Sequence, residues 1–416
     1  MYLIMTFILI TSVNNFYFLF PWSKIEGQFN TIDIGIVFLC IFIFFSFIKS
    51  KNLKYLRNPF SLFIIVLIFM VLINIFYTKY RYNISYLNAI VASRYYLYYF
   101  SFFFFLIALD SPKGIKNVLN LMTYLSIILV ALSVINYFGP VIFYHKWAEG
   151  HFERLGIKRA FIPNMSMVSF CTVWSFCEMF SGSGKIGFSS GWKSIYLLAA
   201  HIFRQSRMRL LSVLFVFLLL SVHRAKSKKM LQTAVVIIAS ASIIFFVLGQ
   251  NLLKNQITMT YEEIKEKKGT WGGRVLFMKT VFNELMKSPI LGTGASAIRA
   301  NPEAYKNLSK NKLQLFHVLG KQTDLGYLNW LKNFGLVGLI WLIMFFVTLL
   351  RYGLRVIKYF KDENESLALF GLFYSIFIFV SFLTINHLGM SDGIFHLCFT
   401  AAVLVHLDFL HKEKKG

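Results

Sequence analysis

The sequence reads as an all-α, polytopic integral membrane protein of about twelve transmembrane helices with one long outer loop, and three observations carry that reading. Hydrophobic residues fill 57% of the 416 positions, charged residues only 15%, and mean hydropathy is +0.62. Apolar runs of about twenty residues recur from end to end, each long enough to cross roughly 30 Å of hydrocarbon. Lys and Arg, in turn, collect in clusters between particular runs. A soluble chain of this length would divide into two or three domains; here a single membrane domain over residues 1–416 is expected.

Taken in order, the spans fall at about 1–20, 31–48, 59–78, 88–109, 118–138, 162–180, 186–203, 209–222, 231–249, 326–348, 366–386 and 392–410. The first run lacks a basic leader and a small-residue cleavage site, so it is expected to be a retained span. The stretch 186–222 is too long for one crossing and is interrupted by Arg204, Arg207 and Arg209, which predicts two short helices meeting at a charged tip. Between 250 and 325 lies the sizeable non-membrane segment. Within it Val275, Met278, Phe282 and Leu285 recur at helical spacing, predicting an amphipathic helix on the surface or over a cavity. Ser288-Pro289 stops that helix, and Gly292-Thr293-Gly294 supplies a turn.

Charge gives the orientation. The balance of 43 Lys and Arg against 18 Asp and Glu, a net +25, would raise nucleic acid as a partner for a soluble protein. In a membrane protein the positive-inside rule accounts for it, and no nucleic-acid partner is expected. Four clusters, Lys49 to Arg57, Arg224 to Lys229, Arg351 to Lys361 and Lys412 to Lys415, all fall on one face when twelve spans are counted. That face is then cytoplasmic, both termini lie inside, and segments 139–161 and 250–323 lie outside. The four cysteines (Cys40, Cys171, Cys177, Cys398) sit in apolar stretches without metal-ligand spacing, so no disulfide framework or zinc site is indicated.

The informative cations are those on the outer side, where the rule gives no reason for them. They are Arg154, Lys158 and Arg159 before one span, Arg204, Arg207 and Arg209 at the hairpin tip, and Arg274 in the amphipathic helix. Arg94 lies inside the outer third of the fourth span, where a charge is costly unless solvated or paired. Singly, such residues serve more often as headgroup anchors. Several chain segments bringing guanidinium groups to one face, with few carboxylates nearby, instead suit an anionic ligand such as a lipid-linked diphosphate, whose oxygens Arg engages bidentately. Asp324 stands where the loop enters the tenth span and could take a proton from a sugar hydroxyl; His317, seven residues earlier, is a second base candidate. An Asp before a helix is more often only a cap. The glycines of Gly335-Leu-Val-Gly338 can let another helix approach closely. His387-Leu-Gly-Met-Ser-Asp392 has the HxxxxD spacing of some acyltransferases, a match close to chance in a chain this long. Phosphate-loop, HExxH, GxSxG and DxD signatures are missing, which disfavours nucleotide-driven or zinc chemistry; no cofactor is expected.

The order of these features resembles the Wzy-type O-antigen and capsule repeat-unit polymerases, a family similar to the O-antigen ligases. The resemblance rests on Arg159-Ala-Phe-Ile-Pro163-Asn164, Gln205-Ser206-Arg207, Arg274 ahead of Ser288-Pro289-Ile-Leu-Gly292-Thr-Gly294, and Thr323-Asp324-Leu-Gly326-Tyr327 with Gly335-Leu-Val-Gly338. It covers roughly residues 150–345 through order and spacing. The similar ligases carry a histidine eleven residues before the first glycine of the pair, where this chain has Asp324, and aspartate there leans towards polymerase. The resemblance implies metal-independent glycosyl transfer on the outer face of a bacterial cytoplasmic membrane. Donor and acceptor would be oligosaccharides on undecaprenyl diphosphate, with room for a chain-length regulator as partner. It also implies that Arg274, Arg207 and Arg159, supported by Arg94, Arg204 and Arg209, hold the diphosphate while Asp324 or His317 acts on the acceptor. The alternatives are a ligase that passes the glycan to another acceptor, a flippase for the same lipid-linked saccharide, and a scaffold protein of envelope assembly whose outer basic residues are only lipid anchors.

Overall fold

The computed structural model describes residues 31–49, 57–82, 85–109, 111–139, 142–143, 152–154, 157–181, 188–204, 206–224, 269–294, 325–361 and 364–414. These residues form helices α1 (Thr31–Lys49), α2 (Pro59–Tyr82), α3 (Tyr86–Ala108), α4 (Pro112–Phe138), α5 (Met165–Phe180), α6 (Phe188–Arg204), α7 (Arg207–Arg224), α8 (Gly269–Lys287), α9 (Gly326–Tyr359), α10 (Glu365–Ser381) and α11 (Ser391–Glu413). A short hairpin, β1 (Phe152–Arg154) with β2 (Ile157–Arg159), is antiparallel and pairs Glu153 with Lys158. The molecule is an all-α polytopic membrane protein. Among the described residues, α2, α3, α4, α9 and α11 are long and apolar enough to cross a membrane, and shorter apolar helices lie within α1, α5, α7 and α10. The spans expected at 1–20 and 231–249 lie outside the described residues.

Local sequence explains where the helices begin and bend. Ser111 caps α4, its hydroxyl accepting from the Gly114 N–H, and Pro112 follows at the first helical position, where a missing N–H costs nothing. Asn164, left-handed at φ 46°, caps α5 by accepting from the Met167 N–H at 3.1 Å. α9 runs well past the expected end at 348, because Arg351, Arg355 and Lys358 continue the helix beyond the apolar stretch. There Asp408 of α11 pairs with Lys412 at 2.7 Å and Arg355 at 3.7 Å.

The centre of the bundle is α5, α10 and α11, whose side chains are buried almost all round. Helices that are apolar on every face belong there or against lipid. The outer helices keep one apolar face open: Phe69 and Phe76 of α2 are each 62% exposed, and Ile340 of α9 is 59% exposed. Such stripes suit contact with acyl chains, which neither reward nor penalise apolar burial between helices. Close packing therefore has to hold the bundle together. Aromatic contacts supply much of it, with the Trp341 ring of α9 stacked on Phe345 at 5.0 Å and on Trp330 at 5.3 Å.

Two spans depart from regular helix at the end predicted to be outer. α3 narrows to a 3₁₀ turn over Arg94–Phe100. α9 is broken at Gly335, which adopts φ 61°, ψ −154°.

Candidate functional site

The break in α9 is where the loop following α8 docks. Backbone groups freed by a broken helix must find partners at membrane depth, and the docked loop and neighbouring side chains supply several. The Leu336 N–H donates to the Pro289 carbonyl at 2.9 Å and the Val337 N–H to the Ile290 carbonyl at 3.3 Å. The Lys332 carbonyl accepts from the Thr293 N–H at 2.6 Å, the Asn333 carbonyl from Asn74 Nδ2 at 2.8 Å, and the Gly338 carbonyl from Trp330 Nε1 at 2.8 Å. Asn333 Nδ2 in turn donates to the Tyr96 hydroxyl on the 3₁₀ turn of α3, joining both irregular segments at 2.9 Å. A Cβ at Gly335 would collide with the Ile290 carbonyl, and one at Gly292 with the Lys332 carbonyl. The glycine pair is thus not a groove for a neighbouring helix. Gly335 admits the loop, while Gly338 faces Phe334 and Trp330 of its own helix.

α8 lies against α9 with half of the expected stripe turned inward, Leu285 buried and Met278 half-buried. Phe277 and Val281 are 2% and 0% exposed and pack with Leu328, while Val275 and Phe282 face outward at 37% and 51%. A partly polar face decides the rotation. Glu284, 5% exposed, is held by Arg81 of α2 at 3.3 Å and by Lys287. Arg81 also donates to the Gly292 carbonyl at 3.2 Å and the Tyr77 hydroxyl at 2.8 Å. Arg274 sits in the second turn of this helix.

A second group forms around the α6–α7 tip. α6 ends at Arg204 and α7 starts at Arg207, as the interrupted stretch predicted. The Ala160 N–H donates to the Phe203 carbonyl at 3.4 Å, so the end of β2, which carries Arg159, lies beside the tip. Arg204 Nη1 donates to the Ile162 carbonyl at 2.6 Å, with its guanidinium 5.8 Å from the centre of the Phe161 ring. Arg159, Arg204, Arg207 and Arg209 therefore share one end of the bundle. Arg209 is half-buried, and its charge reaches His201 of α6, Tyr374 of α10, His387 in the turn before α11, and His396 of α11.

Arg94 has a different commitment. Its guanidinium pairs with Asp33 of α1 at 2.9 Å, both side chains about 15% exposed. The shortage of carboxylates expected from the sequence does not hold at this position, because Asp33, in the first turn of α1, supplies one. Asp324 and His317 lie outside the described residues; α9 begins just beyond Asp324, with Gly326 and Tyr327 against Phe379 and Phe382 at the end of α10. His387 and Asp392 of the HxxxxD stretch share no hydrogen bond among the described residues, so no such dyad forms there. Nor, among those residues, do His, Cys, Asp and Glu side chains gather as a metal site.

The residues sequence reasoning passed over are Asp33, Arg81, Glu284 and the trio Asn74, Tyr96 and Asn333. Arg81 had a signal: once α2 is counted as ending outside, it breaks the positive-inside rule as Arg274 does.

The fold and this end define a class, a polytopic helical membrane protein with arginine-bearing segments, the end of β2 and the α6–α7 tip, gathered at one end of the bundle. Residues 194–343, from the middle of α6 into α9, match the family model described as O-antigen ligase. Over that stretch, which is less than half of the chain, the protein is similar to the O-antigen ligase family. A comparison with curated proteins finds no match to the chain. The matched stretch takes in the tip, α8, its docking loop and the break in α9.

Proposed function

We propose that the protein polymerises oligosaccharide repeat units carried on undecaprenyl diphosphate into O-antigen or capsular polysaccharide. The reaction would proceed without metal on the outer face of the bacterial cytoplasmic membrane. In this reading an acceptor hydroxyl oxygen attacks the anomeric carbon of the donor glycan. The bond from that carbon to the diphosphate breaks, and the diphosphate leaves with the electron pair. Two demands follow: charge developing on the leaving group must be stabilised, and the acceptor proton must be taken up. Arg159, Arg207, Arg209 and Arg274 meet the first, with Arg204 and Arg94 framing the site. Asp324 meets the second, with His317 behind it. The observation that supports the reading is the meeting of the end of β2, which carries Arg159, with the α6–α7 tip that bears Arg204, Arg207 and half-buried Arg209, through the Ala160–Phe203 backbone contact.

The description of the matched family favours a second reading, transfer of the finished glycan to a different acceptor. One experiment separates the two. Purified protein in proteoliposomes is given lipid-linked repeat units alone, with EDTA present, and products are resolved by size. A ladder of multiples supports polymerisation. Consumption of donor only after a second acceptor is added would assign a ligase, and passage of intact substrate across the bilayer would assign a flippase.

A further inference from the structure

Arg81, in the last turn of α2, ties three segments together. Its Nη1 donates to the Gly292 carbonyl of the docking loop at 3.2 Å and to the Tyr77 hydroxyl at 2.8 Å, and its Nη2 donates to Glu284 of α8 at 3.3 Å. The guanidinium also lies over the rings of Tyr77 and Tyr82, 5.7 and 5.1 Å from their centres. A planar fork with several fixed donors can serve partners in different directions at once, which a single ammonium cannot. The Arg81 and Glu284 side chains are 16% and 6% exposed, so their charge-assisted bond is largely shielded from water and fixes geometry.

What α8 gains from this tie is a rotation. Phe277, Val281 and Glu284 stand three, seven and ten residues beyond Arg274, which places all four on one stripe of a helix. Phe277 and Val281 of that stripe are buried with Leu328 of α9, while Val275 and Phe282 turn outward. Turning Glu284 to Arg81 therefore sets the stripe on which Arg274 stands. Apolar residues on the other faces of α8 would allow it a different roll without the tie. The bond to Gly292 adds a lengthwise constraint, because the next residue, Thr293, is held by the Lys332 carbonyl of α9.

We infer that Arg81 is a positioning residue: through Glu284 and Gly292 it fixes the roll of α8 and so presents Arg274 to the leaving diphosphate, without itself touching substrate. The inference rests on the reading of Arg274 as a diphosphate ligand. The test is steady-state kinetics of the full-length protein in proteoliposomes with undecaprenyl-diphosphate-linked repeat units, beside the melting temperature of each variant. Arg274→Ala is expected to lose turnover. Arg81→Gln should lower kcat by about tenfold with KM within about threefold of wild type, since a misplaced Arg274 fails chiefly as charge develops on the leaving group. Lys287 still pairs with Glu284 in that variant, so the melting temperature should stay near wild type. Glu284→Gln breaks the same tie from the other side, and the double variant should fall no further in kcat than Arg81→Gln alone.

Wild-type kcat in Arg81→Gln, with Arg274→Ala inactive, would overturn the positioning role and leave the site reading standing. A raised KM at unchanged kcat would overturn it by making Arg81 a direct ligand. Losses that multiply in the double variant, or that follow a fall in melting temperature, would overturn it as well, since the two residues would then act separately or only on the fold. Full activity in Arg274→Ala would remove the reading of Arg274 itself, and the positioning role with it.

Discussion

Gly335 shows how much one residue carries here. Its positive φ and the carbonyl of Ile290 where a Cβ would stand both exclude a side chain. Gly335→Ala is expected to lower stability by about 1–3 kcal/mol, read as a fall in melting temperature, and to undock the 288–294 loop with loss of turnover. Arg94 calls for a pairwise argument. Removing one partner of the Asp33 pair strands the other charge where water is scarce, so Arg94→Gln alone should cost about 1–3 kcal/mol. Adding Asp33→Asn should recover much of that loss, and a double-mutant cycle on melting temperature measures the coupling. Activity restored along with stability would mark Arg94 as a tie between α1 and α3; stability restored without activity would mark it as part of the substrate site. The sequence made Arg94 conspicuous as a charge in a span, but not its partner, because Asp33 lies 61 residues away with nothing local linking the two.

At the scale of elements, α8 was legible as a helix but not in its rotation. Apolar residues recur on more than one of its faces, so spacing alone selects no stripe. Contacts with Leu328 and the Arg81–Glu284 pair decide which face turns inward. Glu284→Gln removes the charge that Arg81 and Lys287 hold. Amide hydrogen exchange over 275–287 should then speed up roughly fivefold, while exchange in α11 stays as in wild type. No change in α8 would mean the loop contacts at Gly335 hold it unaided. The break in α9 was half-visible: two glycines three apart marked it as special, yet the same pair in a membrane helix also reads as a packing groove. Only the docking of a distant segment, through Pro289 and Ile290, separates the two readings.

For the whole molecule, the bundle follows from hydropathy, and the described helices fall where the apolar runs do. The gathering of Arg159 with the α6–α7 tip was legible only as a count of outer cations; the contact through Ala160 and Phe203 is tertiary. Sidedness is the global property on which the proposal depends. Single cysteines placed at Lys279 and Lys414, in a background with the native cysteines replaced, test it with a membrane-impermeant thiol reagent applied to intact cells. Labelling at 279 and protection at 414 is expected, and the reverse would turn the protein over and put the site on the wrong face for its substrate.

The central claim is that these arginines and Asp324 form one glycosyl-transfer site for lipid-diphosphate donors. Its most direct test is product formation from undecaprenyl-diphosphate-linked repeat units by purified wild-type protein beside Arg274→Lys, Arg209→Ala and Asp324→Asn, at matched amounts in proteoliposomes. The account predicts a ladder from the wild type and little or none from each variant, including Arg274→Lys, because a guanidinium fork and not charge alone is required. A full ladder from the arginine variants would contradict it and return those residues to the role of lipid anchors.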